Sequence, residues 1–136
     1  MQNPPPVQTT KSSTGLDENV AALLSYVFGW LSGLIFFLIE KDSRLVRFHA
    51  MQSLLFNVLI AIVAIVLWVV AFVVLIVSTQ LPSFVGSLVG LLATLIWVVF
   101  FIGIAIAWIL CLIKAFQSQY FKLPIIGNFA EKFSTK

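Results

Sequence analysis

Charge is the scarcest property of this sequence. Only 10% of its 136 residues are Asp, Glu, Lys or Arg, where a soluble domain carries about 25%. None stands between His49 and Lys114, so most of the chain cannot present a solvated surface. Cysteine and histidine occur once each, as Cys111 and His49, which excludes an intrachain disulfide framework and any site built from several thiolates or imidazoles. The five carboxylates lie in the tails or at the ends of apolar runs. There is no HExxH, no glycine-rich phosphate loop and no pair of acids on a helix. The residues therefore offer no catalytic group, metal site or cofactor site, and a metalloenzyme would need ligands from another chain. The net charge of +3 does not point to nucleic acid either, because the basic residues flank apolar segments rather than lining one face.

What is present is apolar. Hydrophobic residues make up 61% of the chain and the mean hydropathy is +1.11, a composition whose solvent is a bilayer. Three uncharged runs, at about 20–39, 50–77 and 84–113, predict an all-α integral membrane protein, a three-helix bundle in one membrane domain over 17–136. The first run opens at Asp17-Glu18-Asn19, side chains suited to orphan backbone donors. Its twenty residues would rise about 30 Å, one crossing of the hydrocarbon core. The other two runs are longer than a crossing needs, so part of each is expected to project into the headgroups.

The flanks differ in kind. Residues 1–16, with Pro4, Pro5 and Pro6 and a Gln/Thr/Ser/Lys mixture, read as a disordered tail, and the first apolar run is too long for a cleaved signal peptide. The segment 114–136 mixes Phe116, Tyr120, Phe121, Phe129 and Phe133 with four lysines, a pattern suited to the membrane interface, with a short helix after Gly127.

With three spans, Lys41, Arg44, Arg47, Lys114, Lys122, Lys132 and Lys136 share one side and Lys11 stands alone on the other. The positive-inside rule then predicts a multi-pass protein of the cell membrane with its amino terminus outside and its carboxyl terminus cytoplasmic.

Two features invite function. Ala21, Ser25, Gly29 and Gly33 recur every fourth residue, and Gly86 and Gly90 repeat the pattern in the third run. Such stripes let helices approach closely in lipid, either within the chain or against a homo-oligomeric copy or another membrane protein. Arg47, His49, Gln52 and Ser53 form a polar cluster at the head of the second run, and the last three share one helical face leading into the membrane. They either bond to loop carbonyls or the carboxyl segment, with Arg47 reaching lipid phosphate, or form a proton-sensitive or ligand-contacting site.

Arg47-Phe48-His49-Ala50-Met51-Gln52-Ser53-Leu54 after a charged turn, Leu123-Pro124-Ile125-Ile126-Gly127 after the last run, and Leu24-Ser25-Tyr26 in the first resemble small prokaryotic membrane proteins. These are grouped with the chloroplast inner-envelope import component Tic-twenty, and the resemblance covers about 17–133. It implies a helical membrane fold and, by analogy with the chloroplast members, a translocon part, although those have four predicted spans where this sequence suggests three. The expected function is that of a non-enzymatic accessory or scaffold subunit acting through helix packing. The alternative is an oligomeric translocon-like or transport component with His49 and Gln52 along a path.

Overall fold

In the computed structural model, which describes residues 10–135, the chain is all-helical: α1 (Glu18–Val27), α2 (Trp30–Ile39), α3 (Arg44–Ser78), α4 (Ser83–Phe116) and α5 (Ile126–Ser134). It divides into two compact units. One is formed by the chain up to Val58 together with the chain from Ala107 onward, the other by Leu59–Ile106.

The Leu59–Ile106 unit is made of the later part of α3, the turn at 79–82 and most of α4. It contains no charged residue and no buried one. Its apolar side chains face outward all round, Trp68, Phe84 and Val99 among the most exposed. An apolar helix in a soluble protein would bury this surface against a core. The most apolar 18-residue window of α3 is instead 0% buried and that of α4 6%, so lipid is the medium that accommodates them. At 35 and 34 residues both helices are long enough to cross it.

The first apolar run does not form the single span expected for 20–39. It breaks at Phe28-Gly29 into two ten-residue helices, each only about 15 Å long and too short to cross a bilayer. The cause is local. Gly29 sits at φ 63°, ψ −133°, a conformation glycine adopts at no steric cost and other residues avoid. The Ser32 hydroxyl then closes the joint, donating to the carbonyls of Ser25 (2.9 Å) and Gly29 (3.2 Å) and accepting from the Phe28 amide. The three-span bundle is thus corrected to two long helices plus a short helical pair, α1 packed against α2.

The ends of that pair meet. Ser13 donates its amide to both carboxylate oxygens of Glu40 (3.0 and 3.1 Å) and its hydroxyl to Oε1 (2.8 Å). The chain therefore enters and leaves α1–α2 at one place, and the expected separation of the amino segment from the Glu40 turn is not what the structure has. Nor are residues 10–16 a loose tail: they fold into a turn, Ser12 N–H on Leu16 O and Gly15 N–H on Ser12 O, with a bridge between Lys11 and Asp17. Residues 1–9 of the expected tail lie outside the described residues. Asp17, expected to cap α1, makes no side-chain cap.

α3 begins at Arg44, six residues before the apolar run, because the Ser43 hydroxyl accepts the Val46 amide (3.3 Å) as an N-cap. α5 forms where a short helix was expected. It packs Ala130 on Phe48 and Met51, with Phe37, Leu54 and Leu55 around them.

Candidate functional site

Only the first unit has an interior, and that interior is polar at its centre. Tyr26, His49, Gln52, Ser25, Ser53 and Cys111 are all buried. α1 supplies Tyr26, α3 supplies His49 and Gln52 three residues apart on one face, and α4 supplies Cys111.

The hydrogen bonds assign the protons. His49 Nε2 lies 2.9 Å from the Gln119 carbonyl, which can only accept, so Nε2 carries the hydrogen. Nδ1 then accepts from the Tyr26 hydroxyl at 3.0 Å. Tyr26 Oη in turn accepts from Gln52 Nε2 (3.1 Å). The same amide nitrogen donates to the Phe121 carbonyl (2.9 Å), while Gln52 Oε1 accepts the Leu123 amide (3.2 Å). Cys111 Sγ lies 3.8 Å from Gln52 Nε2, and Trp108 Nε1 donates to the Tyr26 carbonyl (3.0 Å). Among the described residues no buried side-chain nitrogen or oxygen lacks a partner. A closed network of this kind rigidifies what it joins. Here it ties the 119–123 strap, which has no regular secondary structure, to α1, α3 and α4.

A second cluster lies at the α2–α3 turn. The Glu40 carboxylate is fully buried and accepts from Ser13, Asp42 (3.0 Å) and Ser43 (2.9 Å). Burial alone would raise its pKa, but the amides of Ser43 and Ser13, the Ser13 hydroxyl and the Asp42 amide outweigh it and hold the carboxyl below its ordinary range. Arg47 turns inward: it donates to the carbonyls of Glu40 (2.8 Å) and Ser134 (3.1 Å) and stacks over Phe37.

Of the sequence-predicted residues, His49 and Gln52 meet in the network. Ser53 stands apart, donating to the Gly29 carbonyl (3.1 Å), and Arg47 belongs to the turn cluster. The first stripe is consumed inside the chain, though not as one helix face. A Cβ on Gly33 would lie 2.9 Å from the Ala50 carbonyl and 3.1 Å from Leu54 N, and one on Gly29 would lie 3.2 Å from Asn57 Oδ1. Ser25 bonds back to Ala21 O (3.0 Å). The second stripe divides. Gly86 approaches the Ser78 carbonyl, while around Gly90 there is open space.

Glu40 and Ser13 were not marked by the sequence, because neither stands in a periodic pattern and they meet across 27 residues of chain. Tyr26 was visible only as part of a motif. Among the described residues no three His, Cys, Asp or Glu side chains gather as metal ligands do.

This architecture is that of a small helical membrane protein with its polar groups satisfied internally. The chain belongs to the magnetosome magnetite crystal formation protein family, whose model matches residues 16–130. It is 34% identical over 124 residues to a UPF0132 membrane protein of Methanocaldococcus jannaschii, covering 91% of this chain and 94% of that one. A UPF0132 membrane protein of Archaeoglobus fulgidus is 36% identical over 119 residues, 86% of this chain and 95% of its own. No solved structure matches.

Proposed function

We propose that this protein is a non-enzymatic membrane scaffold or accessory subunit that acts through helix packing against other membrane helices. The observation that carries the reading is the division of surface. Among the described residues the buried side-chain nitrogens and oxygens are all engaged, and what the spanning helices offer outward is mostly apolar. His49 and Gln52 bond to Tyr26 and to strap carbonyls, a role in holding the strap rather than in lining a path. This disfavours the translocon-like alternative, and the Tic-twenty kinship remains a resemblance of motifs.

In this reading α3 and α4 are the two spans and α1–α2 is a re-entrant pair. All eight Lys and Arg residues then fall on one side, where three spans would leave Lys11 on the other. The positive-inside rule assigns that side, with both termini, to the cytoplasm. The open face at Gly90 and Thr94 on α4 is the packing surface left for a second membrane protein or another copy.

The family's description concerns magnetite crystal formation. For this chain we read that as a part in organising a membrane.

In-membrane crosslinking followed by mild-detergent purification tests the proposal. A reproducible foreign membrane partner lost in Gly90→Ile supports it. A lone monomer in both forms would refute it, and recovery of defined homo-oligomers alone would favour the self-assembled alternative.

A further inference from the structure

α5 is a helix with three sectors rather than two. At 3.6 residues per turn, one sector holds Ile126, Gly127, Ala130 and Ser134, all buried. There Ala130 meets Phe48 and Met51, and a Cβ on Gly127 would lie 2.5 Å from Lys122 Cβ. The next sector is Phe129 and Phe133, spaced four apart and 51% and 42% exposed, with Ile125, the residue just before the helix, 73% exposed. Beyond it come Lys132 and Asn128, then Glu131, all exposed. A helix that only closed a protein core would show polar residues everywhere outside the buried sector. This one sets a second apolar stripe between the core and a cation.

The stripe has a direction as well. The Ser134 carbonyl is held by Arg47 at the first turn of α3, whereas the Leu123 amide is held by Gln52, more than a turn further along. α5 and its lead-in therefore run beside the first turns of α3, with Phe133 toward Arg47 and Ile125 toward Gln52. All charged residues of the chain lie in this same unit, with a net charge of +3. The one ion pair among the described residues is Lys122 with Glu131, leaving the Lys132 ammonium without a protein acceptor there.

We infer that α5 is an interfacial foot whose Ile125, Phe129 and Phe133 enter the acyl boundary of an anionic leaflet while Lys132 meets lipid phosphate. The occupant follows from charge: an apolar stripe bordered by an unpaired cation matches the boundary between acyl chains and anionic headgroups. This inference rests on the membrane reading and not on assembly with a partner.

The test places a nitroxide on Phe129→Cys and, separately, on Asn128→Cys in the full chain. The chain is reconstituted in phosphatidylcholine vesicles and in equal-part mixtures with phosphatidylglycerol. Cys111 is fully buried, and the unsubstituted chain treated alike reports any label it takes up. Collision with oxygen measures exposure to lipid, and collision with a water-soluble nickel chelate measures exposure to water. The expected result is oxygen-dominated collision at 129 and nickel-dominated collision at 128, with 129 deeper when phosphatidylglycerol is present and that increment lost in Lys132→Glu. Equal nickel access at both positions would overturn the proposal. So would shielding of 129 from both reagents, which would mean that protein covers the stripe, or a depth indifferent to anionic lipid. Because the label reports depth whatever the oligomeric state, failure here leaves the scaffold reading standing, and the reverse also holds.

Discussion

Gln52→Leu is the sharpest perturbation of the buried network, since it roughly preserves volume while deleting every polar contact of the side chain. The Tyr26–His49 bond survives it. The Phe121 carbonyl and the Leu123 amide do not keep their partners, which in the native chain are Gln52 Nε2 at 2.9 Å and Oε1 at 3.2 Å. An orphaned buried group costs about 1–3 kcal/mol; the Leu123 amide is buried and the Phe121 carbonyl partly so, so the pair costs about 2–4 kcal/mol, a large part of the ~5–15 kcal/mol that holds a typical domain together. Cys111 supplies the assay: it is the sole thiol and fully buried, so its reactivity against denaturant follows opening of the first unit in detergent. The variant should open at markedly lower denaturant. Gln52→Glu should fare worse still near neutral pH, because a carboxylate can accept from Leu123 but would face the Phe121 carbonyl with no proton to donate. A Gln52→Leu loss within ~0.5 kcal/mol, the range of an ordinary surface change, would refute the view that the network holds the strap.

The glycines make a paired test. Gly33→Val drives a side chain into the Ala50 carbonyl and Leu54 amide and should cost about 1–3 kcal/mol as overpacking, whereas Gly90→Val meets open space and should leave monomer stability unchanged in the same thiol assay. Gly29→Ala forces alanine to φ 63° and should loosen the α1–α2 joint by about 1–3 kcal/mol, seen as faster amide exchange at Phe28 and Gly33. The Glu40 carboxyl is held below its ordinary value of 4.5, so its contribution is complete above that pH and is lost as pH falls through the lower folded value. Amide exchange at Ser13 should rise in that acid window, and Glu40→Gln should abolish the pH dependence.

Much of the medium and little of the site could be read from residues alone. Partition into a bilayer is a sum over side chains, and the uncharged stretch from Ala50 to Ile113 fixed it whatever the fold; the apolar parts of α3 and α4 were legible in that stretch, and the short helix near the carboxyl end in the mixture of aromatics and lysines, whereas the start of α3 at Arg44 was set by the Ser43 cap. The polar face of His49, Gln52 and Ser53 was visible because helical spacing is a sequence property. Its division was not: their partners are the carbonyls of Gln119, Phe121 and Gly29, and a backbone carbonyl carries no residue signature. An apolar run also reads the same whether it crosses a membrane or doubles back, so only the fold revealed that Gly29 takes a left-handed conformation and that Ser13 closes on Glu40. Composition determined where this chain resides, because burial energies add residue by residue. Tertiary structure decided how it turns there, because a hydrogen bond between residues 27 apart depends on the path of the chain between them.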